Sequence, residues 1–254
     1  MSVKKINVDR WQEAQRWELG VWQAAQTKRG WRRLLWPIAK PLLAVVGSDR
    51  GRGDDWNEWW AERFESYAFL PDNLGDYIEL GCGPYTNTRV ILRGRKASRI
   101  VCSDPLIRSY IHFKDAWLSE AYRRGLIQTD DHPIEKCPFA PSSFDVVVLI
   151  NVLDHVYDAD LCMERATGLV RPGGLLLLGQ DLSNEEDAHI EDRVADPEER
   201  VGYAVGHPIR LAEQDLEPHL GQFNIVLRKI LSRSEGRVPQ AHYGTLVFAG
   251  RKRT

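Results

Sequence analysis

The 254-residue chain has no CxxC pair: its four cysteines, Cys82, Cys102, Cys137 and Cys162, are scattered. That excludes a zinc knuckle or a dense disulfide framework and suits a reducing compartment. Net charge is nearly absent, at -2, so no global field draws the chain to polyanions, and nucleic acid is not an expected partner. No apolar run is long enough to span a bilayer: the most apolar N-terminal stretch, residues 34–46, is short and contains Pro37, Lys40 and Pro41. Residues 1–10 turn polar where a secretory signal needs its apolar run, so a cytoplasmic location is expected. Internal repeats and low-complexity tracts are lacking too, and tryptophan almost vanishes after residue 61, where only Trp117 remains.

What is present is the composition of an ordinary globular protein, 43% hydrophobic and 28% charged. Eight of the nine tryptophans, Trp11, Trp17, Trp22, Trp31, Trp36, Trp56, Trp59 and Trp60, mark off a helical front section, residues 1–70, from a body, residues 71–254. Over residues 9–27, Trp11, Ala14, Leu19, Trp22 and Ala25 recur at helical spacing and predict an amphipathic helix. The glycines and charges of residues 47–55 read as a surface loop and hinge. A second helix is expected after Asp54 or Asp55, with Trp56, Trp59, Trp60, Phe64 and Tyr67 on one side and Pro71 as its stop.

From Tyr77 onward, apolar strands at 77–80, 99–103, 126–129, 144–150 and 174–180 alternate with helical stretches, and strands 223–231 and 243–249 follow. This alternation predicts a Rossmann-like α/β fold: a seven-stranded, mostly parallel sheet with helices on both faces. The continuous run Val146-Val147-Val148-Leu149-Ile150 suits a central strand covered on both sides. The last two strands lack an intervening helix and read as an antiparallel hairpin.

The most informative run is Glu79-Leu80-Gly81-Cys82-Gly83-Pro84-Tyr85-Thr86-Asn87, a strand entering a glycine turn. Glycines there let the chain turn sharply and let a ligand approach bare backbone. Asp104 closes the next strand 23 residues after Gly81, where a carboxylate accepts ribose hydroxyls. A dinucleotide site wants a third glycine where Thr86 stands, and Glu79 would repel phosphate. An acid at that place suits a ligand carrying ammonium or sulfonium charge, and S-adenosylmethionine carries both.

With Ser143-Phe144-Asp145-Val146, Asn151-Val152-Leu153-Asp154-His155 and Leu169-Val170-Arg171-Pro172-Gly173-Gly174 in order, the chain resembles the class I S-adenosylmethionine-dependent methyltransferases. Further phrases, Gly53-Asp54-Asp55-Trp56-Asn57-Glu58-Trp59-Trp60 and Gly179-Gln180-Asp181-Leu182, are similar to bacterial polysaccharide-associated sugar O-methyltransferases of the methylmannose-polysaccharide type. The resemblance implies that Glu79, Gly81 and Gly83 surround the methionine part of the cofactor and Asp104 binds the ribose. It places Ile134 and Glu135 beside the adenine and the backbone of Asn151 at the amino acid moiety. Many relatives carry an acid immediately before that dipeptide to bind the adenine amino group; this chain has Pro133 there and its acids earlier, at Asp130 and Asp131.

Methyl transfer to a hydroxyl needs a base or a metal. His155, after the fourth strand, is the first choice of base, with Asp154 next to it in sequence and His207, in the long excursion after the fifth strand, as further catalytic candidates. Asp154, Asp181 and His207 form a candidate magnesium site. Trp56, Trp59, Trp60 and Tyr85 are candidate contacts to a saccharide acceptor, since aromatic faces stack on sugars. Rival readings are a small aromatic or polyketide acceptor and a non-catalytic cofactor-binding partner module. Lys28, Arg29, Arg32, Arg33 and Lys40 beside Trp31, Leu34, Leu35 and Trp36 suggest a peripheral membrane contact, and a homodimer is the expected assembly.

Overall fold

The computed structural model describes residues 2–26, 54–184 and 205–254. The basic stretch around Trp31 and Trp36, most of the expected hinge and residues 185–204 lie outside the described residues. A helix, α1, covers residues 8–26. The strands are β1 (Asp76–Leu80), β2 (Arg99–Ser103), β3 (Gln128–Asp130), β4 (Phe144–Ile150), β5 (Val170–Leu182), β6 (Phe223–Ser232) and β7 (Gly244–Lys252). They form one sheet in the order β3-β2-β1-β4-β5-β7-β6. All neighbours pair in parallel except β7, which runs antiparallel to both β5 and β6. This is the expected sheet with its terminal hairpin. The chain order reverses between β1 and β4, and in such sheets ligands bind at the carboxyl ends of the strands beside that reversal.

Alternation along β4 builds two cores. Val147 and Leu149 face one layer, closed by α6 (Ala159–Leu169), while Val146, Val148 and Ile150 face the other. Shorter helices α2 (Glu58–Arg63), α3 (Thr88–Ile91), α4 (Ile107–Tyr110) and α5 (Trp117–Arg123), and later α7 (Glu213–Leu220), complete the layers. The four cysteines are free and buried.

The second front helix departs from expectation. It is one short helix, α2, between 3-10 turns at Asp54–Asn57 and Glu65–Tyr67, and Glu65, Ser66 and Tyr67 take positive φ, so it does not run on to Pro71. Trp60, Phe64 and Tyr67 are buried in the core against β4 and β5. Residues 58–70 therefore belong to the body's core rather than to a separate front unit. The Trp60 ring lies so close to Gly179 that a Cβ there would stand 2.6 Å from it. Gly179→Ala is expected to destabilise the protein by about 1–3 kcal/mol through overpacking, read from denaturant unfolding; unchanged stability would mean that Trp60 shifts freely.

Among the described residues, no helix is long and apolar enough to cross a membrane.

Candidate active site

One pocket opens at the carboxyl ends of β1, β2 and β4. Its floor is the turn after β1, where Gly81 and Gly83 have positive φ. A Cβ on Gly81 would meet Val152 at 2.4 Å, whereas none would meet anything at Gly83, which leaves bare backbone toward the pocket. The Gly83 N–H donates to Asp104 Oδ2 (3.0 Å) and Leu106 N–H to Asp104 Oδ1 (2.8 Å), so the β2 carboxylate is held at the pocket wall. Burial pushes the Asp104 carboxyl up to about 6, against those two hydrogen bonds. Pro133 and Ile134 line a further wall. Asn151, just past β4, has φ +57, which asparagine tolerates better than most residues, and its N–H donates to the Gly179 carbonyl at 2.7 Å.

These features fit S-adenosylmethionine. Asn87 and Asn151 both line the pocket, and each buries a side-chain Oδ1 that has no hydrogen-bond partner. Such orphaned acceptors await a donor, and an ammonium group supplies one. Asp104 and the open backbone at Gly83 suit a ribose and its attached chain.

One residue named from the sequence, Glu79, does not line the pocket. Glu79 is 1% exposed, and its carboxylate accepts from Thr86 Oγ1, Asn87 N, Asn87 Nδ2, Thr88 N and Thr88 Oγ1. It holds the turn into α3 rather than meeting a ligand ammonium, because five donors already saturate it. Glu135 lines the pocket next to Ile134, and its Oε1 accepts from Tyr157 N (2.9 Å) and Asp158 N (3.1 Å), which also braces the loop before α6. Asp130 accepts from Ser103 and pairs with His132, and Asp131 pairs with Arg108; neither lines the pocket.

Beside the cofactor region the structure gathers Asp154, His155 and His207, whose ligand-type atoms all lie within 4.8 Å of one another. The Asp154 Oδ2 atom is 3.8 Å from His155 Nε2 and 3.9 Å from His207 Nε2, and the two rings stand 4.5 Å apart. Burial pushes the Asp154 carboxyl up, but the imidazoles of His155, His207 and His242 outweigh it and hold the carboxyl below its ordinary value. Burial pushes His155 down, but the carboxylates of Asp154 and Glu18 hold it above its ordinary value. These three groups have the donor types for a divalent cation. Asp181, expected among them, is not: it faces Thr245 across the β5–β7 ladder and accepts its hydroxyl at 2.6 Å.

The aromatic expectations are redistributed. Tyr85 lines the pocket, its hydroxyl accepting from Gln26 Nε2 at 2.6 Å and its ring against Trp22. Trp60 lines the pocket only as part of the core, and Trp59 packs on Trp60 under the Arg63 guanidinium, 4.6 Å from its ring. The side chain of Trp56 lies outside the described residues. In their place stands α1, whose Trp11, Gln15, Glu18 and Trp22 form one face over the pocket, with Trp17 edge-on to His207. The sequence held one signal for this: Glu18 is a carboxylate on the otherwise apolar stripe between Ala14 and Trp22.

Residues 78–178 match the family described as "Methyltransferase domain". No curated protein matches the chain in sequence. Among solved structures, the fold is similar to N-methyltransferase NodS from Bradyrhizobium japonicum WM9 in complex with S-adenosyl-L-homocysteine. The two are 18% identical with a TM-score of 0.55, over 84% of this chain and 97% of that one. It is also similar to 1,6-didemethyltoxoflavin-N1-methyltransferase from Burkholderia thailandensis, with bound 1,6-didemethyltoxoflavin and S-adenosylhomocysteine. Here identity is 20% and the TM-score 0.51, over 86% and 89% of the two chains. Residues 78–178 thus match a methyltransferase-domain model, and the chain has the Rossmann-like fold of these methyltransferases.

Proposed function

We propose that the protein transfers a methyl group from S-adenosylmethionine to a hydroxyl of a saccharide. The observation that carries this reading is the Asp154–His155–His207 cluster, with its carboxylate buried and its two imidazoles half-buried, set beside the cofactor pocket. An already neutral amine attacks through its lone pair without prior loss of a proton, whereas a hydroxyl needs one removed as it attacks, and a carboxylate-flanked imidazole does that. Bound cofactor supplies the electrophilic methyl. The chain's own groups do the rest: Asp104 holds the ribose, Asn87 and Asn151 receive the ammonium, and α1 screens the centre from water. His155 takes the acceptor's proton. Trp11, Trp17 and Trp22 offer apolar ring faces, while Gln15 and His207 offer hydrogen bonds, a mixture that suits a polyol.

The test is methyl transfer from labelled cofactor to a panel of manno- and gluco-oligosaccharides, with magnesium and with chelator. Transfer to one sugar, undiminished by chelator, is expected. Silence across the panel with cofactor binding intact would sink the saccharide reading in favour of an aromatic acceptor or a non-catalytic role. Loss of transfer in chelator would make the three-residue cluster a metal centre.

Asp104 also sets a pH dependence. Its folded value of about 6 lies above the ordinary 3.8, so the protein binds this proton more tightly when folded, and ionisation weakens the fold as pH rises between those values. Ribose hydroxyls donate more strongly to the ionised carboxylate than to the protonated carboxyl. Affinity for S-adenosylhomocysteine is therefore expected to rise as pH climbs through about 6, and Asp104→Asn should flatten that rise. Calorimetry across this range checks it, and a pH-independent affinity in the wild type would remove Asp104 from the ribose site.

A further inference from the structure

The face of α1 over the pocket is apolar and amide-bearing except for one acid. Glu18 Oε1 accepts from Trp22 Nε1 at 2.5 Å, which turns the carboxylate inward, and its Oε2 lies 3.5 Å from His155 Nδ1. That nitrogen is buried and has no hydrogen-bond partner. The same helix is fastened to the same residue through its backbone: Trp11 Nε1 (3.0 Å) and Gln15 Nε2 (3.2 Å) both donate to the His155 carbonyl. The opposite ring nitrogen, Nε2, faces Asp154 within the cluster. His155 is thus bracketed, with one nitrogen toward the body and the other toward a carboxylate delivered by the front helix.

Resting on the reading of His155 as proton acceptor, we propose that Glu18 is its positioning residue, orienting the imidazole through Nδ1 so that Nε2 receives the acceptor's proton. As the acceptor oxygen bonds to the methyl carbon, the sulfur–methyl bond breaks with its electron pair left on sulfur, and the hydroxyl proton passes to Nε2. Positive charge thereby moves from the sulfonium to the imidazolium. Glu18 lies where that charge arrives, and a fixed carboxylate there stabilises it without reorganisation. This is the logic of an imidazole base held in one tautomer by a carboxylate on its other nitrogen. The present 3.5 Å separation is longer than the roughly 2.7–2.9 Å of a charge-assisted hydrogen bond, and such contacts tighten in the loaded site.

Glu18→Gln tests this, because its amide oxygen still accepts from Trp22 while the charge is gone. In the S-adenosylhomocysteine complex, nitrogen NMR of the His155 ring, at a pH high enough to leave this imidazole neutral despite the carboxylates that raise its proton affinity, is expected to show a proton on Nδ1 in the wild type. In Glu18→Gln that proton should shift toward Nε2. This readout needs no acceptor, so it stands even if the saccharide reading fails. On any acceptor turned over, kcat is expected to fall about 10- to 100-fold, with KM and S-adenosylhomocysteine affinity within about twofold. Glu18→Asp should recover part of that loss. Combining Glu18→Gln with His155→Asn should be no worse than His155→Asn alone, as for residues that act as a unit. An unchanged tautomer in Glu18→Gln, or additive losses in the double variant, would overturn the proposal.

Discussion

Replacing His155 with alanine is expected to lower kcat by about 10²–10⁴-fold, the range for a lost general base, while S-adenosylhomocysteine still binds. The two effects separate because the residue's contributions come from different atoms. Its carbonyl, which Trp11 and Gln15 of α1 engage, survives the substitution, so the front helix keeps its fastening. Its ring touches the cluster: Nε2 is 3.8 Å from Asp154 and the ring 4.5 Å from His207. In the proposed site the cofactor rests instead on the β1 turn, Asp104 and the two asparagines, none of which uses the imidazole. The side chain is 18% exposed, so its loss opens the site to water rather than leaving a sealed cavity. Steady-state rates and calorimetry on the same preparation check both halves. A variant within threefold of the wild-type rate would exclude His155 as the base, and His207 would become the residue to replace.

How much of this was legible in the sequence depended on what each signal was made of. The strands were, because a run such as Val146–Ile150 buries both faces whatever surrounds it, and the Gly81–Gly83 turn with Asp104 at the next strand end is a local pattern. The direction of a side chain was not. Glu79 and Asp181 sit at strand ends, as expected of ligand-facing acids, but five donors from residues 86–88 claim the first. The β5–β7 register, which sets Asp181 against Thr245, claims the second. Neither choice is written in the neighbouring residues. Trp59 and Trp60 read alike as sugar platforms or as core, since helical spacing alone cannot tell the two apart. Gly179, whose missing Cβ makes room for the Trp60 ring, settles that question from a distance of over a hundred residues. Glu18 was legible only as an anomaly, a charge on an apolar helical stripe, with its meaning set by a histidine brought from β4.

Replacing Glu79 with glutamine is expected to damage the cofactor site and the fold together. The carboxylate has only acceptors to offer, and its partners are all donors: Asn87 N (3.0 Å), Asn87 Nδ2 (2.9 Å), Thr88 N (2.8 Å), Thr88 Oγ1 (2.6 Å) and Thr86 Oγ1. Glutamine puts an amino group where an oxygen stood. On either side of the carboxyl that group then faces a backbone N–H, which cannot reverse its polarity as the hydroxyls can. At 1% exposure no water enters to repair the mismatch. Each buried donor left unsatisfied costs about 1–3 kcal/mol, so the variant should lose about 2–4 kcal/mol of stability in denaturant unfolding. The turn that presents Gly83 and Asn87 to the pocket hangs on this network, so S-adenosylhomocysteine affinity should fall about 10- to 100-fold, equivalent to about 1.4–2.8 kcal/mol. The pairing of the two losses is what separates a turn-holding carboxylate from a ligand-binding one. If Glu79→Gln unfolded like the wild type and lost only cofactor affinity, Glu79 would be contacting the ammonium directly, as its place in the glycine motif first suggests. If it lost stability and affinity together, the acid before the glycine turn would act on the cofactor only by shaping the backbone that receives it.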